Sequence, residues 1–335
     1  MKVELLELLR CPQSGQELEM ADCVSRDGRI RSGWLVAKGG RHRYPVHNFV
    51  PRFVPESNYA DSFGMQWSRF SKTQLDSHSG HPISADRFWK ATGWSPQILA
   101  GQWVLDVGCG AGRFAEIALQ AGARVVAMDY STAVDACYAN LRHHEDLHVV
   151  QGDIYALPFL NNSFSYVYSL GVLQHTPDVE KAFKALPPML TGGGRICVDY
   201  YQRSWKSEML PKYWLRPITK RIPKMRLFSL LETLVPKLLF LSRLVGSMPL
   251  VGNTLKRMIP VANYAGELPL SPEQHREWSL LDTFDWFSPE FDNPQTPQAV
   301  KRWMNDAHLV QVEVLKAGHL VGRGKVPDGK GQPGE

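Results

Sequence analysis

At 335 residues, with apolar side chains at 44% of positions, the chain can bury one large core or two smaller ones, which excludes a polypeptide dominated by disorder. Its five cysteines, Cys11, Cys23, Cys109, Cys137 and Cys197, are odd in number, scattered and never in C-x-x-C spacing, so they argue against a disulfide framework and fit a reducing cytoplasm. The net charge is only +5, yet between Arg203 and Arg257 twelve Lys/Arg stand against two Asp/Glu, leaving the remainder of the chain acidic.

In chain order, Met1–Arg10 reads as a short amphipathic helix rather than a signal peptide, because Glu4 and Glu7 interrupt its leucines. Residues 1–56 are strand-and-turn-like, with Gly and Pro punctuation and a closing Val50-Pro51-Arg52-Phe53-Val54-Pro55, and are expected to form a small β-rich module. Residues 57–102 are aromatic and polar, and read as helices packed on the front of the next unit.

From 103 to 202, short apolar runs alternate with helix-length amphipathic stretches, the pattern of βαβ units around a parallel sheet. Strands are predicted at Trp103–Val107, Arg124–Asp129, Leu147–Gln151, Phe164–Ser169 and Gly194–Asp199. The alternation stops over 203–292, a basic, Leu-rich insertion whose prolines and glycines predict helices of a few turns each. It resumes over 293–326 with a helix at Pro297–Ala307 and strands at Val310–Leu315 and His319–Arg323. The expected fold is thus α/β, a doubly wound seven-stranded mostly parallel sheet with a helical insertion. A Gly/Lys/Pro tail over 327–335 is expected to be disordered.

The strongest local signal is Asp106-Val107-Gly108-Cys109-Gly110-Ala111-Gly112, where an apolar strand runs into three glycines on alternate residues and then a helix. Without Cβ atoms such a loop turns sharply and lets backbone approach a ligand. A dinucleotide fingerprint would need glycine where Arg113 stands, and a P-loop would need Lys-Ser/Thr. Acids recur at the next strand tips. Asp129 stands where a carboxylate can accept from ribose hydroxyls, and Asp153, in Gly152-Asp153-Ile154, where one can accept from an adenine amine with Ile154 against the ring.

This run, followed by Asp129, Gly152-Asp153, Leu157-Pro158-Phe159, Leu170-Gly171-Val172-Leu173-Gln174-His175 and Gly192-Gly193-Gly194, resembles class I S-adenosylmethionine-dependent methyltransferases, with the motifs in that family's order. The resemblance implies S-adenosylmethionine as cofactor. Gly108, Gly110 and Gly112 would back its methionine part with Asp106 assisting, Asp129 would hold the ribose and Asp153, with Ile154, the adenine, and Cys109, Tyr130 and Leu170 are further cofactor-binding candidates. The first 56 residues resemble a zinc-ribbon-like module through Leu9-Arg10-Cys11-Pro12 and Tyr44-Pro45-Val46-His47. Ser14 replaces the expected second cysteine, so no bound metal is expected.

Tyr59–Trp67 is similar to a segment that covers the cofactor in such enzymes, so Gln66 and Trp67 either close the methionine end or pack on the sheet. His175 either takes a proton from the acceptor or shapes its loop, and Asp282 and Asp285 either serve the acceptor or cap a helix. The expected acceptor is a small or lipid-like metabolite, bound under 203–292 without any metal. The basic segment 203–258 reads either as a solvated cap or as a surface for an anionic bilayer. Nucleic acid is not expected, because the segment is too leucine-rich for a stacking groove, though an RNA methyltransferase and a catalytically silent scaffold stand as the competing readings.

Overall fold

The structure, a computed structural model, describes residues 1–55, 60–205, 209–249 and 251–329. The expected module boundary at 56, Tyr59 of the covering segment, and residues 330–335 of the expected tail lie outside the described residues.

Strands β1 (Leu18–Arg26), β2 (Arg29–Ala37), β3 (Arg43–His47) and β4 (Val50–Pro51) form an antiparallel sheet in sequence order. The amphipathic N-terminal segment condenses to one turn, Leu5–Leu8. The larger sheet holds β5 (Trp103–Val107), β6 (Arg124–Asp129), β7 (Leu147–Gln151), β8 (Phe164–Ser169), β9 (Leu190–Tyr200), β10 (Val310–Ala317) and β11 (His319–Lys325), in the order β10-β11-β9-β8-β5-β6-β7. Parallel pairing joins β9, β8, β5, β6 and β7, while β11 runs antiparallel to both neighbours. This is the doubly wound, mostly parallel sheet that the sequence predicts.

The central strands are apolar on both faces because both faces are covered. Alternation along each strand sends Leu105, Val107, Val126 and Met128 into one core and Val104, Val125 and Ala127 into the other. The first core also takes Leu5, Leu9 and Leu35 of the N-terminal module, and the second takes Phe88, Trp94 and the inner face of the helix Arg113–Gln120. The module closes the β7 edge, where an open strand would invite mispairing. Phe53 donates its amide to the Gln151 carbonyl at 2.8 Å, and Arg52 reaches Gln151 Oε1 at 2.8 Å and Asp135 Oδ1 at 2.6 Å.

β9 begins four residues before its expected start. Its first pair with β8, Phe164 to Leu190, is separated from the rest by a register shift, and Gly193 at φ +77° supplies the backbone turn that such a bulge needs.

The insertion departs from the sequence rule. Helices Pro211–Thr219 and Lys224–Gly246 each contain an internal proline, and the second runs unbroken for 23 residues through Pro236. Pro inside a helix costs about 3 kcal/mol. Leu227, Phe228, Leu231, Val235 and Leu239 are buried against Leu281, Phe284 and Phe287 of the helix Pro272–Phe287, and each such side chain contributes roughly 1.5–3 kcal/mol, so tertiary burial wins.

Candidate active site

The glycine loop turns at the carboxyl end of β5. Gly108, Gly110 and Gly112 take φ of +86°, +52° and +98°. A Cβ on Gly108 would lie 2.4 Å from Val172, and one on Gly110 would lie 3.1 Å from the Trp67 ring, so close packing as well as dihedral angle demands glycine here. Asp129 at the tip of β6 accepts the Gly110 amide at 2.9 Å and, on its other oxygen, the Ser131 amide at 2.8 Å and hydroxyl at 2.7 Å. Burial raises the Asp129 carboxyl above its ordinary range.

A cavity of about 740 Å³ opens on this loop and continues beneath the insertion. Gly108, Cys109, Gly110, Asp129, Tyr130, Ile154, Leu170, Gln66 and Trp67 line one part, and His175, Asp282 and Asp285 another, so most residues singled out from the sequence share one space. Three stand back from it. Gly112 packs against Leu141 and Cys137. Asp153 accepts the Tyr155 amide at 2.9 Å in a local turn. Asp106 is 2% exposed, and burial, with Asp129 nearby, pushes its carboxyl up to about 8, opposed by the neighbouring Tyr168 hydroxyl.

These features fit the methionine end and sugar of S-adenosylmethionine. Backbone free of Cβ atoms borders the cavity, and Gln66, 2% exposed, lines it with an Oε1 that has no protein partner. An unpartnered buried acceptor beside a cavity suits an ammonium donor.

The far part is built by β9, the helix Pro272–Phe287 and the turn after β8. Asp282 accepts from the Tyr264 hydroxyl and from Gln74 Nε2 at 3.4 Å. Burial raises its carboxyl to about 6, opposed by Tyr264, Arg113 and Arg87. Asp285 accepts the Tyr201 hydroxyl at 3.1 Å. His175 sits in a one-turn helix, Leu173–His175, with Nδ1 at 3.0 Å from the Phe291 carbonyl. A carbonyl only accepts, so Nδ1 carries the proton there and Nε2 is the ring's acceptor.

Sequence reasoning missed Arg87, Arg113, Tyr201, Tyr264 and His319, all of which line the cavity. Arg87 pairs with Asp199 at 2.8 Å, and Arg113 donates to Ser84 Oγ and Gln74 Oε1, each at 2.9 Å. Burial, with Arg87 close by, lowers His319 to about 4, so it is neutral at neutral pH. Only Arg113 carried a signal, its place directly after the glycine run.

Residues 105–198 match the methyltransferase domain family. Sterol 24-C-methyltransferase of Pneumocystis carinii is 34% identical over 178 residues, 52% of this chain and 43% of that protein. Demethylmenaquinone methyltransferase of Thermobifida fusca is 31% identical over 120 residues, 35% of this chain and 51% of that one. The ubiquinone biosynthesis O-methyltransferase of Pseudomonas entomophila is 33% identical over 130 residues, 38% and 56% respectively. The chain thus spans about half the length of these relatives, and the residues that match the methyltransferase domain, 105–198, include the glycine loop and the strand-tip acids. Over residues 105–198 the chain is therefore similar to the methyltransferase domain family.

Proposed function

We propose that this protein transfers a methyl group from S-adenosylmethionine to a small or lipid-like metabolite held between the sheet and the 203–292 insertion. The observation that carries the reading is the single cavity joining the glycine loop to Asp282 and Asp285. Three relatives named for sterol, menaquinone and ubiquinone chemistry support an acceptor of that kind.

In this reading Gly108, Cys109 and Gly110 back the methionine part, Gln66 accepts from its ammonium, and Trp67 closes over it. Asp106 and Gly112 act from behind the loop, the first through its buried carboxyl and the second by its turn. Asp129 and Tyr130 hold the ribose, and Asp153, Ile154 and Leu170 frame the adenine. The cofactor supplies an electrophilic methyl on a sulfonium, so the protein's task is alignment and exclusion of water. Asp282, raised into a range useful for a base, takes the proton of an acceptor hydroxyl, with Tyr264 steering it, and Asp285 and His175 orient the acceptor. No metal enters the scheme. The N-terminal zinc-ribbon-like module serves folding or docking, and peripheral contact with a membrane through 203–258 belongs to the same reading.

Calorimetric titration with S-adenosylhomocysteine tests the core of the proposal. One-to-one binding that is abolished in a Gly110→Trp variant is the expected result; a wild-type protein that stays silent to the compound sinks it and favours the scaffold reading.

A further inference from the structure

Fourteen of the twenty large apolar side chains exposed among the described residues fall between Trp205 and Met258, a stretch that is a sixth of the chain. Scattered exposed leucines are ordinary, whereas a concentration of this kind marks a binding surface. The helix Lys224–Gly246 shows how it is arranged. Leu227, Leu231, Val235 and Leu239 face inward, and the opposite side presents Arg226, Leu230, Lys237, Phe240, Leu241 and Leu244, all exposed, with Phe240 at 71% and Leu244 at 59%.

Charge selects the occupant. The helix has one acid, Glu232, and Arg69 pairs it at 3.0 Å. Arg226, Lys237 and Arg243 form no ion pair with a described carboxylate, nor do Arg221 and Arg257 on the flanking segments. A second copy of this chain would set the same cationic face against itself, a like-charge juxtaposition that costs several kcal/mol. A nucleic acid could stack on Trp214 and Phe240 but would meet leucines, Ile218 and methionines over most of the face, which offer no further stacking rings.

We propose that this face docks the protein on an anionic lipid bilayer, with Phe240, Leu241 and Leu244 entering the acyl boundary and the Lys/Arg side chains meeting the headgroup phosphates. Beneath it, the inward side of the same helix packs on Pro272–Phe287, whose Trp278, Asp282 and Asp285 line the cavity. Two helical layers thus separate the lipid surface from the acceptor pocket. This deepens the functional reading, because a lipid-like acceptor would be drawn from the layer on which the protein sits.

The test is vesicle co-sedimentation of the full chain, using phosphatidylcholine alone and phosphatidylcholine with one third phosphatidylglycerol. Wild type should partition at least about tenfold more onto the anionic vesicles, and added salt should weaken this. Arg226→Glu with Lys237→Glu should remove the preference, and Phe240→Ser with Leu244→Ser should lower partition onto both vesicles. Both variants should bind S-adenosylhomocysteine as wild type does, which shows that they fold. Equal partition onto the two vesicles, partition onto neither, or a wild-type dimer lost in the Phe240→Ser, Leu244→Ser variant overturns the proposal. Cofactor binding without vesicle binding removes the docking claim alone; vesicle binding without cofactor binding removes the methyltransferase reading instead.

Discussion

Asp129 reaches from the tip of β6 to accept the Gly110 amide at 2.9 Å, which ties the acid of one strand to the glycine loop of its neighbour. The carboxylate therefore shapes the loop, and in the proposed reading it also offers acceptor sites to a sugar. Replacing Asp129 with Ala should weaken S-adenosylhomocysteine binding by about 1–3 kcal/mol, or roughly 5–150-fold. Unchanged affinity by calorimetry would remove the ribose assignment.

If the sulfonium of the proposed cofactor lies near Asp106, its charge and the protonation of that carboxyl are coupled. The Asp106 carboxyl is pushed up to about 8, so it is largely protonated at neutral pH. A sulfonium placed nearby favours the ionised form and lowers that value, so binding releases a proton and tightens as pH rises toward 8. S-adenosylhomocysteine lacks the sulfonium and serves as the control, since both compounds share the titrating amine. The affinity ratio of S-adenosylmethionine to S-adenosylhomocysteine should climb between about pH 6.5 and 8.5, and the climb should vanish in Asp106→Asn. Parallel pH profiles for the two compounds in wild type would show that Asp106 does not sense the sulfonium.

Asp282 sets the expected acid limb of activity. A base must be deprotonated, so kcat/KM toward a hydroxyl acceptor should rise with pH through about 6 and level off above it. Tyr264→Phe removes the hydroxyl that stabilises the carboxylate, so the limb should move to higher pH. Asp282→Asn should lower kcat by about 10²–10⁴-fold with cofactor affinity intact. A limb unmoved by Tyr264→Phe would assign the titration to another group.

The sheet was legible because its strands are uninterrupted apolar runs bounded by glycine and acids, and four of them begin and end where the pattern puts them. The loop was legible for a related reason: Gly108 and Gly110 stand where backbone must approach other groups, and no other residue type serves. The acceptor half was less so. Tyr264 and Asp282 meet only because the chain folds back across the insertion, and Arg87 and His319 come from segments far apart in sequence, so no local spacing announces them. Pro236 misled the helix lengths because its local cost is outweighed by packing against a helix about fifty residues downstream.

The buried ions of the insertion give a stability prediction. Asp292, with a side chain 2% exposed, lies 3.5 Å from Lys212 Nζ and 3.9 Å from Arg216 Nε, and so fastens the helix Pro211–Thr219 to the segment after Pro272–Phe287. Arg216 has other acceptors, the Trp286 and Pro289 carbonyls at 2.9 and 3.0 Å. Lys212 depends more on Asp292, and burial already lowers its pKa, so losing the carboxylate would strand or neutralise the amine. Breaking such a pair from one side costs about 3–5 kcal/mol, whereas replacing both partners with apolar groups is often neutral. Asp292→Ala should therefore lower the melting temperature by several degrees and open 203–292 to limited proteolysis, and adding Lys212→Met should recover more than half of the loss. A double variant no more stable than Asp292→Ala would mean that the carboxylate acts through Arg216 instead.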